Sequence, residues 1–292
     1  MAEYLTTREL AELLRIKERK VYDLAASGQV PCSRAMGKLL FSRDAIEAWI
    51  AAGQTGPMHS HHDRSRPNVF LGSHDPLLEW ALRESRSGLA TYFDGSSDGL
   101  RRFIANEGIA TGLHLHDVET GDWNVPQIAM QCGGLPVVLV EWAKRQRGLI
   151  LRPRMKKKVR ELADVGGLRF ATRQEDAGAQ LLLIELLAKA DVPTKDIKST
   201  AVVRSEADAA LSVLEEKADV SFGLESLAVQ YRLSFVPILE ERFDLLVDRR
   251  AWFEAPMQTF LGFCRSAAFR KRAADFAGYD VSEAGRVHFN GV

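Results

Sequence analysis

Serine hydroxyls follow two apolar runs in this 292-residue chain. Gly72-Ser73-His74-Asp75 comes after Val69-Phe70-Leu71, and Asp94-Gly95-Ser96-Ser97-Asp98-Gly99 comes after Leu89 to Phe93. Each places hydroxyls and free backbone amides where a strand ends and a helix starts, chemistry that suits an anion or a small polar ligand. Ser and Asp are also ordinary helix caps, so one such loop carries little, but two on successive strands favour a site. His114, His116 and Asp117 add a third polar group. H-x-H on a strand turns both rings to one face, which suits ligand contact through His114 or His116. No metal is expected there, nor at His59, His61 and His62, which lack Cys or acidic partners at ligand spacing. Further on, Arg173-Gln174-Glu175-Asp176-Ala177-Gly178 leads into a leucine-rich helix, Arg204-Ser205-Glu206-Ala207 opens another helix, and Glu225 follows a further apolar run. Nucleophile-elbow, P-loop, HExxH and G-x-G-x-x-G motifs are absent, so an enzyme is not expected.

A second chemistry lies near the N-terminus. Thr6 and Glu9 make a T-x-x-E capping box, and Leu10, Leu13 and Leu14 recur at helical spacing. Arg15 and Ile16 turn the chain into a second helix, Lys17 to Ser27, with Val21 and Leu24 inward and Gly28 at its end. Its outward residues Lys17, Arg19, Lys20 and Tyr22 can reach phosphates and base edges in a major groove. Val30 to Met36 and Leu39 to Phe41 read as short strands turning at Gly37, with Arg34 and Lys38 as their cations. Ser42 caps a third helix carrying Ile46 and Trp49.

Composition bounds both readings. Lys+Arg and Asp+Glu are 39 each, so nucleic-acid contact must come from a local patch. Through residue 52 there are eight Lys/Arg against seven Asp/Glu, a balance under which one copy of the module binds weakly and two bind tightly. Three scattered cysteines suit a reducing compartment. No signal peptide or membrane span is read, so the expected location is the cytoplasm.

The organisation follows. Residues 1–52 form a DNA-binding module, 53–67 a linker rich in Gly, Pro, Ser and charge, and 68–292 a region where strands and helices alternate, the grammar of a layered α/β domain. In that region Val137 to Trp142 and Gly148 to Leu151 read as a strand pair leaving a first lobe. Leu168 to Thr172, Ala201 to Val203 and Asp219 to Gly223 read as strands of a second lobe. Phe235 to Val247 returns the chain, and Met257 to Cys264 and Ser266 to Phe276 are helices. The dense basic run Arg152 to Arg160 reads as a solvated surface.

The N-terminal fifty residues resemble the winged helix-turn-helix of the excisionase and MerR-like group. The matching residues are Leu5-Thr6-Thr7, Ala11, Val21-Tyr22, Gly28-Gln29-Val30-Pro31 and Asp44 to Trp49. The resemblance implies double-stranded operator DNA as partner, with Thr7, Arg15, Lys17, Arg19, Lys20, Tyr22, Arg34 and Lys38 as contacts. Lys17 replaces the usual hydroxyl cap, and Leu40 stands where the wing often has arginine. Residues 67 to 290 resemble the type-2 periplasmic-binding-protein-like sensor domains of bacterial regulators. The resemblance rests on Gly72 to Asp75, Gly95 to Leu100, Gly112 to Asp117, Glu119 to Asn124, Arg147 to Ile150, Thr172 to Gln174, Ala218-Asp219 with Gly223, Glu240 to Leu245 and Gly278 to Val287. It implies a two-lobed α/β domain related to molybdate and tungstate receptors, which hold an oxyanion with hydroxyls and amides. The implied ligand contacts are Ser73, His74, Ser96, Ser97, His114, Arg173, Asp176, Ala177, Gly178, Ser205 and Glu225. No cofactor is implied beyond a bound effector, with molybdate or tungstate as candidates. This chain lacks the family's Gly-Ser-Gly-Thr-Arg after Arg173-Gln174 and carries Glu175 and Asp176 instead. Carboxylates beside an oxyanion oppose binding, so a ligand with a donor or positive group, or a larger organic molecule, also fits.

The expectation is therefore a cytoplasmic, homodimeric transcription regulator whose cleft senses a small-molecule effector, with an anion or oxyanion among the candidates. Two alternatives stand beside it. One is a DNA-binding assembly scaffold with a ligand-less sensor. The other is an enzyme on the receptor fold, using Asp98 with His114 as an acid–base pair.

Overall fold

The computed structural model describes residues 4–35, 37–52, 66–175, 177–200 and 202–292. The chain separates into two compact units, Met1–Ser65 and Arg66–Val292.

The first unit runs β1 (Tyr4–Leu5), α1 (Thr7–Leu14), α2 (Glu18–Ala26), β2 (Ser33–Ala35), β3 (Lys38–Ser42) and α3 (Arg43–Ala52). The capping box forms: Glu9 N donates to Thr6 Oγ1 at 3.3 Å, and Thr6 N donates to the Glu9 carboxylate at 2.7 Å. Arg15 ends α1 in the left-handed region at φ 52°. Helix α2 starts one residue later than the sequence suggests. Lys17 is its extended N-cap and makes no side-chain cap bond, since a lysine has no acceptor oxygen to offer. The hairpin β2–β3 turns at Gly37, φ 78°. Strand β1 pairs with β3 on its other side, an addition that two residues of sequence could not announce. Leu10, Val21, Phe41 and Ile46 are fully buried and form the centre of its core. Burial of each is worth about 1.5–3 kcal/mol.

The second unit continues β4 (Val69–Gly72), α4 (Pro76–Ser85), β5 (Ala90–Phe93), α5 (Ser96–Ile104), β6 (Ala110–Leu113), α6 (Val125–Cys132) and β7 (Val137–Leu151). Then come β8 (Arg169–Ala171), α7 (Gly178–Lys189), β9 (Lys198–Ser199), α8 (Glu206–Leu214), β10 (Val220–Leu224), α9 (Glu225–Gln230) and β11 (Ser234–Asp248). Helices α10 (Arg249–Trp252), α11 (Ala255–Cys264) and α12 (Ala267–Ala274), with β12 (Tyr279–Asp280) and β13 (Val287–Asn290), close the domain. The sheet order is β5-β4-β6-β11-β7-β10-β8-β9, with β12 and β13 also on β7. Strands β4, β5 and β6 are mutually parallel, as are β8, β9 and β10. Each parallel set is one lobe with its own apolar core, around Phe70 and Trp142 in the first and Phe170 and Phe222 in the second.

Between the lobes run β7 and β11, an antiparallel ribbon paired from Ser234↔Leu151 to Asp248↔Val137 with register shifts at Pro237/Leu239 and Phe243/Asp244. The expected strand pair within 137–151 is one continuous 15-residue strand instead. Nothing between Ala143 and Arg147 breaks it, because its inward charges find partners on β11. Two smaller expectations also shift. Ser96 to Gly99 is the first turn of α5 rather than loop, entered through Gly95 at φ 121°. In place of a strand over Ala201 to Val203 there is β9, with Val203 bridging to Arg173; Ala201 lies outside the described residues. No helix among the described residues is long and apolar enough to cross a membrane.

Candidate functional site

The first unit exposes the cations that the sequence singles out. Arg15, Lys17, Arg19, Lys20, Arg34 and Lys38 are exposed, and Tyr22 is 52% exposed. Among the described residues none of these cations is held in an ion pair. A hollow of about 280 Å³ lies between α2 and the hairpin, lined by Tyr22, Arg34, Gly37, Lys38 and Leu39. Thr7 departs from the expectation. It begins α1 and is buried at 9% exposure, so it packs within the module instead of standing exposed like those cations.

In the second unit the sequence-derived ligand residues converge only in part. Ser73 and Ser96 are buried, and their hydroxyls lie 2.8 Å apart. His114 N donates to Ser96 Oγ at 3.1 Å. Gly178, at the start of α7, lies against the same histidine: a Cβ there would come within 3.0 Å of His114 Cε1. Strand ends of the first lobe thus meet a helix start of the second, with Ala177 buried beside it. Ser97 is half-buried in the first turn of α5. His74, Ser205 and Glu225 do not join this group. His74 bonds Glu79 at 3.1 Å and packs edge-on to Phe93. Ser205 caps its own helix, accepting from Asp208 N at 2.9 Å. The Glu225 carboxylate lies against Gly278, where the C-terminal segment crosses. Asp176 lies outside the described residues.

Polar contacts cross from lobe to lobe. Gln174 Nε2 donates to Asp94 O at 3.2 Å, and Arg204 Nη1 reaches Asp94 Oδ1 at 3.2 Å. His116 Nδ1 pairs with Glu185 at 2.8 Å while its ring packs on Trp123. A cavity of about 130 Å³ adjoins this pair, lined by Leu115, His116, Val118, Gly178, Leu181, Leu182 and Glu185.

Beneath the cleft runs a chain of buried charge. Asp75, the N-cap of α4, accepts from Arg145 Nη1 at 2.7 Å, Tyr279 OH at 2.5 Å and Trp142 Nε1 at 3.2 Å. Arg145 also holds Glu241, and Arg147 Nε donates to that carboxylate at 2.8 Å. Arg147 then forks onto Glu206 at 3.0 and 3.2 Å, and Glu206 meets Arg173 Nη1 at 3.3 Å. His114 Nδ1 closes on Glu241 at 3.1 Å. A carboxylate only accepts, so that nitrogen carries the proton.

Burial alone would push Glu241 up; Arg145 and Arg147 outweigh it and hold the carboxyl well below its usual range. Glu206 follows the same logic: burial opposes ionisation, but Arg147 and Arg173 hold it at about 2. Burial pushes His114 down, with Arg145 and Arg147 acting in the same direction against Glu241, so the ring is neutral near pH 7. Asp244, on β11, is pushed up to about 6 by burial despite Arg242 and Asn124.

The acid–base pair of the enzyme alternative is not formed. Asp98 is bound by Arg101 and by Arg102 Nε at 2.8 Å, while the His114 ring is turned to Glu241. Among the described residues no group of three or more His, Cys, Asp or Glu could hold a metal ion. His59, His61 and His62 lie outside them.

Residues 4–54 match the model of a helix-turn-helix domain. The chain is 23% identical to the uncharacterized protein YvgK of Bacillus subtilis (strain 168) over 299 residues, covering 97% of this chain and 96% of that one. A shorter match, 25% identical over 79 residues, joins 27% of this chain to 70% of an uncharacterized Clostridium pasteurianum protein from the 5′ region of a ferredoxin 2Fe-2S gene. Among solved structures, it is similar to a Clostridium perfringens protein assigned as a phosphate ABC transporter substrate-binding protein, solved with bound phosphate. That likeness has a TM-score of 0.50 at 13% identity, over 71% of this chain and 97% of the other, and it concerns the fold. Residues 79–265 match the PBP superfamily domain model, a stretch that includes β5 and β6 of the first parallel set, all of the second set, the β7–β11 ribbon and most of the buried charge chain. The protein belongs to the PBP superfamily, with a helix-turn-helix domain at its N-terminus.

Proposed function

We propose that this protein is a cytoplasmic, ligand-responsive transcription regulator. The N-terminal module, read as an excisionase- and MerR-like winged helix-turn-helix, binds double-stranded operator DNA. Arg15, Lys17, Arg19, Lys20 and Tyr22 face the groove and backbone, and Arg34 and Lys38 of the hairpin hold flanking phosphate. The PBP-like domain, read as kin to molybdate and tungstate receptors, takes a small polar effector among Ser73, Ser96, Ser97, His114, Arg173, Ala177 and Gly178.

The observation that carries this reading is the set of polar bridges across the cleft, Gln174 and Arg204 onto Asp94 and His116 onto Glu185. Two lobes that meet through exchangeable polar contacts can be biased by a ligand preferring the closed form. By linkage, any coupling of closure to DNA binding works in both directions. Two modules in a homodimer, each near charge balance, give closure something to control, because tight binding then depends on their spacing.

The test takes duplexes selected from a random library with the full chain. Replacing Arg19 and Lys20 with alanine should weaken binding at fixed salt by at least about tenfold and flatten its salt dependence. Unchanged affinity and slope would remove α2 from the interface and with it the operator-binding claim.

A further inference from the structure

The buried charges at the lobe junction cancel. Three guanidiniums, Arg145, Arg147 and Arg173, face three carboxylates, Asp75, Glu241 and Glu206, and all six side chains are at most 7% exposed. His114 adds no charge while neutral. At the rim, Arg204 and Asp94 cancel likewise. A free oxyanion would bring uncompensated negative charge into a poorly solvated region that has no spare cation, which is costly.

Hydroxyl donors are also nearly used up. Ser73 and Ser96 bond each other and Ser96 Oγ accepts from His114 N, which leaves one hydroxyl proton for a ligand. Several buried side-chain atoms among the described residues have no partner, and on the Arg173–Gln174 turn they are of both kinds. Arg173 is 8% exposed and its Nε–H finds no acceptor, while Gln174 Oε1, the next residue on the same turn, finds no donor. A buried donor and a buried acceptor left unmet on one interlobe turn mark where a ligand would complete the closed form.

We infer that the cleft excludes free oxyanions and takes a net-uncharged polar ligand offering one acceptor and one donor to the Arg173–Gln174 turn, with Glu206 as the built-in counter-ion that enforces this choice. The inference rests on the cleft being the effector site.

Thermal melts of the full chain test it, with sodium sulfate, phosphate and molybdate as charged probes, each against sodium chloride of equal ionic strength. Nicotinamide, uridine and xylitol are the uncharged probes. In the native protein the oxyanions should do no more than sodium chloride. At least one uncharged probe should raise the melting temperature saturably, by about 5 °C at roughly a hundredfold excess over its dissociation constant. Glu206→Gln leaves Arg147 and Arg173 one carboxylate short and should gain a saturable oxyanion response. The double variant Glu206→Gln with Arg173→Gln, balanced again, should lose that response. If neither variant folds, the native melts still decide. Saturable stabilisation of the native protein by an oxyanion overturns the uncharged class and leaves the cleft as effector site. Silence of every probe on the native protein, and on Glu206→Gln where that variant folds, overturns both.

Discussion

The two units of this chain treat positive charge in opposite ways. The helix-turn-helix exposes cations that form no ion pair among the described residues: Lys17 at the N-cap of α2, Arg19 and Lys20 on α2, Arg34 and Lys38 on the hairpin. The PBP-like domain buries its principal arginines and gives each a carboxylate. An exposed, flexible cation contributes little to stability but remains available to a polyanion. A buried, hydrogen-bonded ion pair also adds little net stability, yet breaking it is costly because the orphaned partner stays in the dry interior. The first arrangement suits binding to DNA. The second ties the two lobes together, since the chain Asp75–Arg145–Glu241–Arg147–Glu206–Arg173 runs from α4 through both ribbon strands to α8 and the turn after β8.

That contrast can be broken at several points. The largest effect is expected at the centre of the buried chain. Arg145→Met strands Asp75 and Glu241 and should cost about 3–5 kcal/mol, lowering the melting temperature by on the order of 10 °C. A near-native melt would mean the ion pairs are dispensable.

Acid probes the same chain. Burial opposes ionisation of Glu206, but Arg147 and Arg173 depress its carboxyl to about 2 from an ordinary value of 4.5. Its contribution is therefore full above about pH 4.5 and lost as pH falls towards 2. Denaturant melts across that window should be flatter for Glu206→Gln than for the native protein; parallel curves would contradict the assignment.

In the first unit, the Arg19→Ala and Lys20→Ala pair should leave the melt unchanged while reducing the slope of log affinity against log salt by about 1–2. A lowered melt would show that those side chains stabilise the fold instead of serving DNA. The smallest effect belongs to the capping box. Thr6→Ala should destabilise α1 by about 1 kcal/mol, read as faster amide exchange over Leu10 to Leu14. Exchange unchanged there would mean tertiary packing alone holds the helix.

The helix-turn-helix was largely legible in the sequence because its signals are local. Thr6 with Glu9, Gly28 and Gly37 mark cap, stop and turn within a few residues of the structure they dictate. The strand–helix grammar of the lobes was legible for the same reason, and Ser73, Ser96, His114 and Gly178 do meet. The charge chain was not read, because it is set by register between strands about a hundred residues apart. Glu241 lies opposite Arg145 only through the β7–β11 pairing. One signal was available. On β7, Ala143, Arg145, Arg147 and Leu149 share the inward parity, as Glu241 and Phe243 do on β11. Charges at the buried parity of long strands require partners. Reading 137–151 as two strands hid that alternation. His74, Ser205 and Glu225 stand apart from that group for the converse reason: a polar residue at a helix start looks the same in sequence whether it serves a ligand or its own neighbourhood.

The central claim is that the state of the cleft governs DNA binding, and this can be tested without knowing the effector. Gln174→Ala with Asp94→Ala and Glu185→Ala removes the polar bridges between the lobes, including the Gln174 bond to the Asp94 backbone carbonyl, and small-angle scattering reports whether they open. With the lobes opened, affinity of the full chain for a selected duplex should change by at least about fivefold at fixed salt. An affinity unchanged within about twofold, while scattering shows the lobes apart, would contradict the account.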